Sequence, residues 1–105
     1  MKKLKILLAC AGGMSTSLLC KKIIAEAEKN GYECTCEAGG VIQLKPDMVE
    51  GSDLILLAPQ VRFYWDEISK KYPDIPVEQI SMQDYGMVNG EAIFRQMLKK
   101  YSWQK

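Results

Sequence analysis

The 105-residue chain contains no histidine. That absence removes Ser-His and Cys-His nucleophilic pairs, and with them the commonest metal ligand. Its four cysteines, Cys10, Cys20, Cys34 and Cys36, form no C-x-x-C pair and no four-cysteine zinc spacing. A thiol-disulfide motif and a structural zinc site are therefore both weakly supported. An excess of one charge is lacking too: 14 basic and 13 acidic residues leave a net charge of +1. Such a balance argues for neither a nucleic-acid partner nor a membrane surface. Lysine pairs at Lys2-Lys3, Lys21-Lys22, Lys70-Lys71 and Lys99-Lys100 read as solvated helix faces and ends. No stretch approaches the roughly 20 apolar residues of a membrane span. The first apolar run is too short for a signal segment and is interrupted by glycines. With free thiols, these features predict a soluble, cytoplasmic protein. No motif asks for a cofactor or a metal.

What is present suits one domain over residues 1–105, with 48% hydrophobic and 26% charged residues, enough for a single core. The pattern predicts strands over 4–9, 32–38, 53–58 and 76–80, and helices over 16–30, 61–71 and 90–101. A short helix over 46–50 fits Pro46 in a first turn. Asn30-Gly31 is a helix stop, and Asn89 is placed to cap the last helix. Residues 81–88 read as a loop, and 102–105 as a frayed end.

This alternation implies an α/β fold: an open four-stranded parallel sheet with helices on both faces. Leu54-Ile55-Leu56-Leu57 is continuously apolar and belongs in the sheet centre, beside the first strand. The second strand alternates Glu33, Thr35 and Glu37 with Cys34, Cys36 and Ala38, as an edge strand with one wet face would. The fourth starts at a proline, which also suits an edge. The strand order is then 2-1-3-4, with a switch point between strands 1 and 3. Ligands sit beyond the carboxyl ends of such strands at that switch.

The loop at the switch begins Cys10-Ala11-Gly12-Gly13-Met14-Ser15-Thr16-Ser17. Its backbone N–H groups and the helix that follows favour an anion. Glycine lets the backbone approach a ligand closely. A thiolate is favoured beside a helix N-terminus. Two readings of Cys10 stand side by side here. It is a nucleophile that carries a phosphoryl group, or it is a small buried hydrophobe beside a glycine turn. Cys34 and Cys36, sharing one strand face, and Cys20 on the first helix read as packing residues.

The run Leu7-Leu8-Ala9-Cys10-Ala11-Gly12-Gly13-Met14-Ser15-Thr16-Ser17-Leu18-Leu19 carries a resemblance, as do residues 53–60 ending in Pro59-Gln60, and Tyr85-Gly86-x-x-Asn89-Gly90. Together they resemble the IIB component of the lactose/cellobiose (chitobiose) class of the bacterial sugar phosphotransferase system, over nearly the whole chain.

The resemblance implies a phosphoryl relay. Cys10 would take a phosphoryl group from a phosphohistidine of the IIA component and pass it to a sugar bound in the membrane IIC component. The N–H groups of Ala11, Gly12, Gly13, Met14, Ser15, Thr16 and Ser17 would cradle the phosphate. A sulfur that meets two proteins in turn must be open, within a partner surface; Met14, Gln60, Val61, Arg62, Phe63 and Tyr85 are the expected contacts, with core packing the alternative for Met14 and Phe63. Two other readings are weighed against the relay. A low-molecular-weight cysteine phosphatase uses Cys-x5-Arg, but Thr16 occupies the arginine position here. Arg62 could then serve at the site, and Asp84-Tyr85 would stand for an acid loop, although Asp84 also suits a turn. A non-catalytic module for a phosphorylated ligand would keep the cradle and need no reactive sulfur.

Overall fold

The four consecutive apolar residues Leu54–Leu57 form a strand buried on both faces, and the sheet is built outward from it. A computed structural model describes residues 2–10, 15–41 and 44–101. In chain order the elements are β1 (Lys2–Cys10), α1 (Ser15–Lys29), β2 (Tyr32–Gly40), α2 (Pro46–Val49), β3 (Leu54–Leu57), a 3-10 turn (Pro59–Tyr64), α3 (Trp65–Lys71), β4 (Val77–Gln79), α4 (Met82–Gly86) and α5 (Gly90–Tyr101). The sheet order is β2-β1-β3-β4 and every pairing is parallel. Both the alternation of elements and the order agree with the sequence reading.

Side chains alternate across the strands and supply two cores. Leu4, Ile6, Leu8, Leu54 and Leu56 pack under α1 and α5, against Leu19, Ile23, Ile93 and Phe94. Leu7, Ala9, Ile55 and Leu57 pack on the other face, with Val49, Val61 and Ile68. The start of the β1–β3 ladder is closed by a side chain. Asp53 Oδ2 accepts from the Lys5 N–H at 2.8 Å, while the Asp53 N–H donates to the Lys5 carbonyl at 2.7 Å. Thus Asp53, expected inside the strand, brackets it instead.

Two local expectations need correction. The helix expected over 61–71 begins as the 3-10 turn, and regular α-helix starts only at Trp65. At the junction Val61 has φ −120° and ψ 16°, outside helical geometry, with its side chain in the core. The loop expected over 81–88 contains α4. Ser81 caps it, its Oγ accepting from the Asp84 N–H at 3.1 Å. The Ser-x-x-Asp spacing was the available signal for that helix start.

Other stop and start signals act as read. Gly31 turns the chain after α1 at φ +84°, a conformation glycine adopts without a Cβ penalty. Asn89 caps α5, its Oδ1 accepting from the Ala92 N–H at 3.2 Å. Between α4 and α5, Val88 takes φ +52°, a costly angle for a β-branched residue. The half-buried Val88 side chain packs against the first core.

Candidate functional site

The exits of all four strands are gathered at one end of the parallel sheet. β1 ends at Cys10, which stands opposite Gly40 of β2. The Ala58 N–H donates to the Ala9 carbonyl at 2.9 Å, holding the exit of β3 beside that of β1. The Ile80 N–H donates to the Leu57 carbonyl at 2.9 Å and brings in the exit of β4. Cys10 therefore lies at the switch point between the two central strands, where open α/β sheets bind ligands.

The Cys10 sulfur is covered. It is 2% exposed and groups with Leu7, Ala9, Val41, Leu44 and Leu57 in the second core. This corrects the expectation of an open sulfur. The reason lies in β2, which runs on to Gly40 rather than ending near residue 38. The extension sets the Gly39 carbonyl beside the thiol, and Cys10 Sγ donates to it at 3.5 Å. Sequence reasoning missed this partner, although Gly39-Gly40 directly follows the edge strand. A Cβ on Gly39 would meet Met48 Cε, the flexible end of a side chain on α2, at 3.2 Å.

Of the expected cradle, Ala11, Gly12, Gly13 and Met14 lie outside the described residues. Ser15, Thr16 and Ser17 form the start of α1, whose first turn carries no acidic residue. The positive end of a helix dipole attracts an anion, and no acidic residue in this first turn offsets it.

The expected partner contacts divide. Gln60, Arg62 and Phe63 are exposed in the 3-10 turn that leaves β3. Phe63 is 73% exposed and lies against Tyr64, with ring centroids 4.5 Å apart. Val61 is corrected: at 4% exposure it is a core residue, turned inward where the turn departs from helical angles. Tyr85 is half-buried in α4 and packs against both cores. The Asp84 carboxylate accepts from Gln96 Nε2 at 3.3 Å, and its N–H is held by the cap Ser81, so it is a first-turn residue of helix α4 and not the loop-turn residue expected.

Among the described residues, no group of three or more Cys, Asp or Glu side chains is arranged to hold a metal ion. Nor, among them, is any helix long and apolar enough to cross a membrane.

Comparison with known proteins bears on the family and the fold. Residues 5–96 match the family model of the phosphotransferase-system lactose/cellobiose-specific IIB subunit. The chain is 42% identical over 96 residues to the oligo-beta-mannoside-specific EIIB component of Bacillus subtilis, covering 90% of this chain and 92% of that one. It is 40% identical over 95 residues to the galactose-specific EIIB component of Lactococcus lactis, covering 84% and 87%. The lactose-specific IIB domain of Streptococcus pneumoniae superposes with a TM-score of 0.81 at 26% identity, over 95% of this chain and 99% of that one. With the fold, the family model and these relatives in accord, the chain belongs to the lactose/cellobiose-specific IIB subunits of the sugar phosphotransferase system.

Proposed function

We propose that Cys10 is the residue through which this phosphotransferase component carries a phosphoryl group. The thiolate attacks the phosphorus of a phosphohistidine on IIA. A P–S bond forms, the P–N bond breaks, and the histidine keeps the electron pair. A hydroxyl of a sugar bound in the membrane IIC component then attacks. The P–S bond breaks, an O–P bond forms, and the hydroxyl proton leaves to solvent or a nearby base. Transfers of this kind rest mainly on positioning and electrostatic stabilisation. The first turn of α1 and the N–H groups of residues 11–17 stabilise a phosphate carrying roughly −1.5 to −2 charges. Residues 1–105 act as one cytoplasmic IIB domain, and Gln60, Arg62, Phe63 and Tyr85 border the partner surface.

One observation carries this reading. Cys10 ends a central strand at the switch point, directly ahead of a helix start without acidic side chains. Its burial adds a requirement: the covered sulfur meets a donor only after the residues over it part, so docking of IIA opens the site.

Intact-mass measurement tests the proposal, with phosphoenolpyruvate, the general phosphotransferase proteins and a matching IIA. One added phosphoryl group on the wild type and none on Cys10→Ser is the expected result. An unmodified wild type that instead turns over an aryl phosphate would overturn it in favour of the phosphatase reading. Retained phosphate affinity in Cys10→Ser, with no acceptance by either protein, would favour the binding module.

A further inference from the structure

Two cysteines with no part in the proposed relay meet where α1 packs on the edge strand β2. The Cys36 S–H donates to Cys20 Sγ across 2.9 Å. Both are free thiols. A disulfide has its sulfurs about 2.03–2.05 Å apart, so bond formation asks the pair to close by less than about 1 Å. Cys20 is 5% exposed, while Cys36 is only half-buried on the outer strand, so the pair lies near the surface and not at the centre of the core. Electrostatics divides their roles. The bond from Cys36 draws the Cys20 thiol below its ordinary range, and the same bond pushes Cys36 up. Thiolate character, which governs nucleophilicity, therefore gathers on Cys20. The third sulfur on this face, Cys34, is pushed up to about 11, mainly by burial.

We propose that Cys20 and Cys36 are a redox modification site, a dithiol that a small peroxide converts to a reversible disulfide. One thiol takes an oxygen from hydrogen peroxide, giving a sulfenic acid and water. The second sulfur attacks the first, forming the S–S bond and releasing a second water. The pair loses two electrons and two protons, and the peroxide is reduced to two waters. A dithiol reductant reverses the step by thiol–disulfide exchange. Transient disulfides of this type are the ones found in reducing compartments. The bond would join the second turn of α1 to β2, four residues before Gly40, the partner of Cys10 in the ladder.

The test uses variants, because trypsin leaves Cys10 with Cys20 on one peptide and Cys34 with Cys36 on another. Cys10→Ser/Cys34→Ser, which retains only the proposed pair, is treated with one equivalent of hydrogen peroxide. The expected result is a mass lower by two hydrogens, loss of both alkylatable thiols, a raised urea midpoint, and full reversal by dithiothreitol. Should that double variant not fold, single variants of the whole protein decide. Cys34→Ala should still form the bond and Cys36→Ala should not. Retained thiols in the pair, stepwise gain of oxygen without loss of hydrogens, or a bond that survives Cys36→Ala would each overturn the proposal.

Discussion

Gly90 rests directly on Lys22: a Cβ at position 90 would stand 2.6 Å from the Lys22 Cβ and 2.8 Å from the Ile23 nitrogen. The start of α5 is thereby seated on the middle of α1. Neither obstacle is the flexible end of a side chain, so an added methyl must push the helices apart. Gly90→Ala is expected to lose about 1–3 kcal/mol, the usual cost of overpacking. Urea unfolding measures it, and an unchanged midpoint would show that α5 can shift freely.

Asn89, one residue earlier, holds the Ala92 N–H through its side chain. Asn89→Ala should cost about 1 kcal/mol, within the roughly 0.5–2 kcal/mol range for lost caps. Asn89→Ser, which restores an acceptor, should recover most of the loss in the same unfolding experiment.

Glu26, 4% exposed on α1, is tied to α5 through Arg95 Nε at 3.0 Å. The hydrogen bond from Arg95 and its charge, with a further bond from Asn30, hold the Glu26 carboxyl below the ordinary glutamate range. A carboxylate with a depressed folded pKa stabilises the fold fully above its unfolded value, about 4.3. That contribution fades as pH falls through the depressed folded value. The wild type should therefore be more stable than Glu26→Gln at pH 7, with the gap closing in acid. Denaturation midpoints across a pH series give the answer; a gap independent of pH would remove the ion pair from the account.

Phe63 offers a largely exposed ring on the turn that leaves β3. Phe63→Ala should leave stability within about 0.5 kcal/mol, as exposed substitutions usually do. If the ring is a docking contact, phosphoryl transfer from IIA should slow about tenfold through a raised KM, the loss of roughly 1.4 kcal/mol of contact energy. Equal kinetics for the two proteins would move the partner surface elsewhere.

Much of the architecture was legible along the chain. The apolar block 54–57, the alternation at 33–37, the stop at Gly31 and the cap at Asn89 are local signals, and each acts where it is written. The 3-10 turn was harder to read, because its irregularity follows from Val61 entering a core assembled from distant segments. Helix α4 was harder to read for a simpler reason: none of its five residues is fully buried, and they leave no periodic stripe.

At the site the division is sharper. Cys10 was marked by its place between an apolar strand and a glycine-rich helix start, a relation between neighbours in sequence. The cover on its sulfur, the Gly39 carbonyl at 3.5 Å and the meeting of Cys20 with Cys36 were not so marked. Those contacts join residues 29 and 16 positions apart. The register of β1 on β2 and the packing of α1 over the sheet set such distances. Sequence alone determined which groups exist and which local shapes they favour; only the assembled fold decided which of them touch, because parallel pairing aligns segments that share no local signal.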